Sequence, residues 1–271
     1  MAIRLYWWHE KRASGDENYG DLLSQFLVEK ISKQKVIAIK HPAKGLHKYF
    51  FKHYVTIGSI ISSATKNSIV WGSGIIKKNE NIRDAKFIAV RGPQTRKRIL
   101  DLGFSCPEVY GDPAILLPDY YSNSKIQKEY EIGIIPHYVD FKTVNEVLKN
   151  DKRIKVIDLL TKDAHSVTDQ ILQCKTIISS SLHGIIIPQS YRIPALWIKF
   201  SNKLSGDNIK FYDYFESMNI DFKNEYFIEP KNLSFDLLKQ KLEKNESVLL
   251  QNKEILEFRK KYLLKSCPFL T

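Results

Sequence analysis

The stretch that decides the fold is TIISSSLHGIIIPQSYRIPALWIKFSNK, residues 176–203. It reads as a β-strand over 176–180, a sharp serine turn, a short helix opening near Leu182, and a second strand over 195–200. A helix that starts just after a strand presents unpaired backbone N–H groups and the positive end of its dipole, which favours a bound anion. Ser179, Ser180 and Ser181 are of the type that caps such a start. His183 falls in the first turn, and Lys203 lies where the next strand runs out. Such ends face one crevice in an open α/β sheet, so the pattern predicts an imidazole and an ammonium meeting one anionic ligand.

Working outward, strands and helices alternate. In the first half, residues 3–9 read as a buried strand, 20–34 as an amphipathic helix, and 35–40, 54–61, 68–75 and 86–91 as further strands. Pro93 opens a basic helix that Gly103 ends, with each residue where helix starts and stops want them. Residues 121–130 are polar and aperiodic, as a linker would be, and the alternation then restarts. Strands are predicted over 131–136 and 155–160, helices over 141–150, 164–174 and 210–218, and a strongly helical stretch over 235–265. Two successive strand/helix halves predict an α/β fold of two Rossmann-like parallel-sheet domains facing a cleft, residues 1–122 and 123–271.

Composition narrows the partners. With 42 Lys and Arg against 30 Asp and Glu, the net charge of +12 points to something acidic. The cations are scattered except in the final segment, which argues against nucleic acid. The three cysteines, Cys106, Cys174 and Cys267, show neither metal-ligand spacing nor a disulfide framework, as expected for a reducing cytosol. Residues 1–10 carry no signal-peptide core, and no apolar run approaches the roughly 20 residues that span a bilayer. The expectation is a cytoplasmic protein, with the basic segment 258–267 either packing across the two domains or resting on the inner membrane face.

Small and charged residues mark the predicted strand ends. Asn18, Gly20 and Asp21 (NYGD) sit between the first strand and helix, where doubly wound domains place ligand-facing loops. An ordinary helix cap explains them equally well. Gly72, Ser73 and Gly74 form a tight turn without a full dinucleotide fingerprint. Arg91 ends a strand at the mouth of the next helix, where a guanidinium can fork a carboxylate or phosphate. Asp112, in GDP, and His137, after EIGIIP, occupy two more strand ends. His9, His41, His47, His53 and His165 have weaker contexts. Residues 10–17 form an unusually polar loop, read as a mobile flap over a bound sugar. Zinc-protease, P-loop and nucleophile-elbow signatures are lacking.

These landmarks together resemble the polysaccharide pyruvyl transferase family. NYGD, GSG, VRGPQTRKRILDLG (90–103), GDPAILLP (111–118), IGIIPHY (132–138) and SSSLHGIIIPQSYRIPALWIKFSNK (179–203) run in family order, closest to the exopolysaccharide branch. The resemblance implies a fold like that of GT-B glycosyltransferases. It also implies transfer of the pyruvyl group of phosphoenolpyruvate to a sugar of a cell-surface polysaccharide or its lipid-linked precursor, as a cyclic ketal. No cofactor or metal is implied beyond that donor. Arg91, His183 and Lys203 would bind or act on it, with Ser180, Ser181 and Leu182 beside them, Arg91 coming from an acceptor-side first domain. Many members carry arginine two residues before the histidine; here that position is Ser181. Pro188 within the short helix predicts a kink. Asp21, Asp112 and His137 are candidates for the acceptor-side base. The alternatives are a nucleotide-sugar-dependent glycosyltransferase on the same architecture and a non-catalytic carbohydrate-binding scaffold.

Overall fold

Burial of the apolar strands organises the chain into two five-stranded parallel sheets. The computed structural model describes residues 2–10, 12–44 and 51–270; His47, and Lys11 of the polar loop, lie outside them. The first half runs β1 (Ile3–Tyr6), β2 (Glu17–Asn18), α1 (Tyr19–Ser32), β3 (Val36–Ala38), β4 (His53–Val55), β5 (Ser68–Trp71), β6 (Lys86–Ala89), α2 (Pro93–Asp101) and α3 (Leu117–Tyr120). The second runs β7 (Tyr130–Ile135), α4 (Tyr138–Leu148), β8 (Ile154–Val156), β9 (Leu160–Thr161), α5 (Ala164–Leu172), β10 (Cys174–Ser179) and α6 (His183–Ser190). It finishes with β11 (Ala195–Lys199), α7 (Ile209–Ser217), β12 (Tyr226–Phe227), α8 (Phe235–Glu243) and α9 (Lys253–Lys265).

Both sheets have the same doubly wound order. The first is β3-β1-β4-β5-β6 and the second β12-β11-β10-β7-β8. Each reverses direction once, between β1 and β4 and between β7 and β10. A ligand crevice opens beyond the carboxyl ends of the strands at such a reversal. α1 shows how pattern becomes packing: Leu23, Leu27 and Ile31 recur every four residues and are buried, in a core that continues into the second half through Ile134, Ile178 and Trp197.

Several predicted boundaries shift for identifiable reasons. The strand expected over 54–61 stops at Val55, because Gly58 adopts φ +105° and turns the chain away. The helical stretch 235–265 is two helices, broken where the Leu249 carbonyl accepts from Ala195 N and Gln189 Nε2. Asn252 then restarts the helix by capping Glu254 N. Pro188 sits inside α6, and the helix continues through it to Ser190. The antiparallel ribbon β2–β9 has no sequence signature; it pairs Glu17 with Thr161 and Asn18 with Leu160. It ties the polar loop 10–17 to the second half.

The basic α9 returns to the first sheet. Trp71 Nε1 donates to Leu263 O (3.1 Å), Phe269 packs edge-on to Tyr54 and Trp71, and Lys260 Nζ meets Asp119 at 2.9 Å. Two of its cations are thus engaged internally, since Arg259 also donates to Ser217 O. Among the described residues no helix is long and apolar enough to cross a membrane.

Candidate active site

The two reversal points face one cavity of about 510 Å³. Trp8 beyond β1, Gly58 and Ser59 beyond β4, His137 beyond β7, and Ser181, Leu182 and His183 beyond β10 all line it. Four strand ends, two from each sheet, therefore converge on one space of ligand size.

His183 is the first residue of α6 and is 9% exposed. Its ring lies directly on α1: a Cβ at Gly20 would come within 2.1 Å of His183 Nδ1, so only glycine leaves room. On the other side His183 Nε2 stands 3.6 Å from Asp112 Oδ2. Both atoms are buried without a hydrogen-bond partner. That gap is too long for a hydrogen bond, and a small ring displacement closes it. Asp112 Oδ1 is fixed by Ala114 N (3.0 Å), so the carboxylate is held in place. Buried His beside buried Asp is the arrangement that orients an imidazole for proton transfer.

The serines do something other than cap α6, whose start has no side-chain cap. Ser179 Oγ donates to Ile135 O (2.7 Å) and accepts from Ser181 N (2.9 Å), closing the turn. Ser180 Oγ accepts from His137 N (2.9 Å). They lock the end of β10 to the end of β7 and leave the helix start open.

Asp21 lines the cavity from the first turn of α1, which Asn18 caps by accepting from Gly20 N at 3.0 Å. Burial pushes the Asp21 carboxyl up to about 7, against the pull of His183. His137 is pushed down to about 4 by burial, then by Lys210 and Arg12, so its ring is neutral at physiological pH. Lys210, on the first turn of α7, reaches the same cavity; burial, then Arg91, pushes it down to about 8.

Arg91 is placed behind the wall. Its side chain is 0% exposed, with Nε on Asp213 Oδ2 (3.0 Å), one terminal nitrogen on Ser59 Oγ (2.6 Å) and the other on Ile75 O (2.6 Å). Asp213 also accepts from Thr95 N and Oγ1, at 2.9 and 2.6 Å. A Cβ at Gly74 would sit 2.4 Å from the guanidinium carbon, and one at Gly92 would sit 1.9 Å from Asp213 O. These glycines let α7 and the first sheet close on the ion pair. Gly72, at φ +88°, lies against Pro113, while Ser73 Oγ and Gly74 N both bond Gly58 O, bracing the cavity wall.

Of the residues singled out in the sequence, Asn18, Asp21, His137, Ser181, Leu182 and His183 line the cavity. Gly20, Gly72, Ser73, Gly74, Arg91, Asp112 and Ser180 support it from behind. Lys203 is not brought to it: its side chain is exposed, in the loop between β11 and α7. The predicted meeting of His183 and Lys203 does not occur, because the chain turns outward after β11 and re-enters at α7. Sequence reasoning missed Lys210, Trp8 and Tyr138. Trp8, 49% exposed directly after a buried strand, left a readable signal; Lys210 left none. Residues 12–17 meet the second half through the β2–β9 ribbon and through Arg12 over the Tyr138 ring (5.0 Å).

"Uncharacterized protein L143" of Acanthamoeba polyphaga mimivirus is 34% identical over 230 residues, 82% of this chain and 79% of that protein. "Succinoglycan biosynthesis protein ExoV" of Rhizobium meliloti (strain 1021) is 21% identical over 169 residues, 61% of this chain and 52% of that protein. Residues 18–202, which hold α1 through β11, match the family described as polysaccharide pyruvyl transferase. The span holds Asp21, Arg91, Asp112, His137 and His183, and the chain belongs to the polysaccharide pyruvyl transferase family.

Proposed function

We propose that this protein moves the pyruvyl group of phosphoenolpyruvate onto two hydroxyls of a saccharide, forming a cyclic ketal and releasing phosphate. The observation that carries this reading is the placement of His183, nine-tenths buried between Gly20 and Asp112 where the cavity meets both reversal points. His183 gives a proton to the methylene carbon of the donor, and C2 becomes oxocarbenium-like. The first sugar hydroxyl forms a C–O bond to C2 as Asp21 takes its proton. The bond from C2 to the phosphate oxygen then breaks, and the second hydroxyl closes the ketal. Of the two hydroxyl protons, one replaces that given to the methylene and the other departs with phosphate. Asp112 faces the imidazole and orients it.

Asp21 fits the base role better than the other two candidates. Asp112 is sealed in the protein, and His137, at about 4, is a weak base. The half-exposed Trp8 offers an apolar ring face to a sugar at the rim. In this scheme residues 1–122 supply the acceptor side and 123–271 the donor side. Phe258 and Tyr262, exposed and paired on α9 beside Lys261 and Lys265, are the face on which a lipid-linked acceptor would bring the protein to the inner membrane surface.

The test is phosphate release from phosphoenolpyruvate with a panel of oligosaccharides, with mass spectrometry of the saccharide. A pyruvylated product that disappears in His183→Ala is the expected result. Stabilisation by a nucleotide sugar and none by phosphoenolpyruvate overturns it.

A further inference from the structure

We infer that Lys210, rather than Lys203, is the cation that grips an anionic group of the donor, an assignment that rests on the reading of the donor as phosphoenolpyruvate. Arg91 is closed off on Asp213, Ser59 and Ile75. Lys203 points to solvent outside the cavity. Arg12 lines the cavity, and its guanidinium is occupied by Glu10, by Asp16 O and by the Tyr138 ring. Lys210 also lines it, yet among the described residues no carboxylate lies within ion-pair distance of its ammonium. Its close neighbour there is the ring of Phe211, with Nζ 5.4 Å from the centroid.

A partly buried ammonium without a counterion is costly, and it is held there by the rest of its helix. Asp213, one turn along α7, is fastened to Arg91, just beyond β6, and to Thr95 of α2. At the start of α7, Asp207 Oδ1 accepts from Ile209 N and Asn208 Nδ2 donates to Glu225. The helix is pinned on both sides of Lys210, which brings the ammonium to the cavity near Asp21, whose charge favours it, and near His137, whose ring it helps to keep neutral. The depressed Lys210 ammonium agrees with a site that lacks an anion. A donor carrying both carboxylate and phosphate supplies the missing charge, and the open start of α6 adds its N–H groups.

The experiment compares wild type, Lys210→Gln, Lys210→Arg and Lys203→Gln by calorimetric binding of phosphoenolpyruvate and by its KM. Lys210→Gln is expected to weaken donor binding by about 10- to 100-fold with a melting temperature no lower than that of wild type. Lys210→Arg should restore most of the affinity, and Lys203→Gln should stay within about twofold of wild type. Inorganic phosphate and pyruvate, titrated separately, tell which end is held: only the probe that loses affinity in Lys210→Gln occupies this position. Wild-type affinity retained in Lys210→Gln, or lost instead in Lys203→Gln, overturns the assignment while leaving the donor reading intact. A wild-type protein that binds no phosphoenolpyruvate overturns both.

Discussion

Replacing Asp213 by asparagine separates a structural Arg91 from a ligand-binding one. The two side chains are both 0% exposed and 3.0 Å apart, and Asp213 accepts two further bonds from Thr95. Asparagine keeps the shape, but it removes the charge and sets an NH₂ against donors. Arg91 is then a buried cation without a counterion, a loss of about 3–5 kcal/mol. That is a large part of the total of about 5–15 kcal/mol that holds a typical domain together. Urea unfolding followed by tryptophan fluorescence measures it, since Trp71 and Trp197 are buried in the two halves. Arg91→Met with Asp213→Leu should recover more than half of the loss, because removing both charges removes the desolvation cost with the attraction. Donor affinity, measured where each variant is folded, should change little. An Asp213→Asn protein as stable as wild type, with donor KM raised at least tenfold, would refute the reasoning and make Arg91 a residue that meets the substrate.

Asp21→Asn should act in two directions at once. A carboxyl raised on folding from 3.8 to about 7 holds its proton more tightly in the native state. Its stabilising contribution is therefore complete below about pH 4 and lost as the pH rises to about 7. The variant should gain stability over wild type above pH 7 and lose that gain below pH 4, while the rise of kcat/KM towards pH 7 disappears with about 100-fold or more of the activity. Parallel melting-temperature profiles from pH 4 to 8 would contradict it. Gly20→Ala tests the seat of His183: alanine favours the helix by about 1 kcal/mol, but its Cβ would lie 2.1 Å from the imidazole. A protein with near-wild-type melting and about 100-fold slower phosphate release is expected, and full activity would show that the ring's position is immaterial.

The sequence by itself determined the architecture and the identity of the chemical groups at the strand ends. Alternating apolar strands and amphipathic helices have few packed solutions, and a doubly wound sheet sends its strand-end loops to one crevice. Asp21, His137 and His183 could be assigned to the cavity on that ground, because their positions follow from local order along the chain. Which cation reaches the cavity was decided only by tertiary structure. Arg91 reads as a perfect anion fork until α7, 122 residues away, supplies Asp213 and seals it. Lys203 occupies the expected strand end, yet the loop after β11 carries it outward, and Lys210 enters from the helix that also carries Asp213. The β2–β9 ribbon is likewise two residues pairing with two others far along the chain, with no pattern to announce it. Local periodicity fixes which face of an element is buried; the partner that neutralises a buried charge belongs to another part of the chain, and sequence spacing carries no record of it.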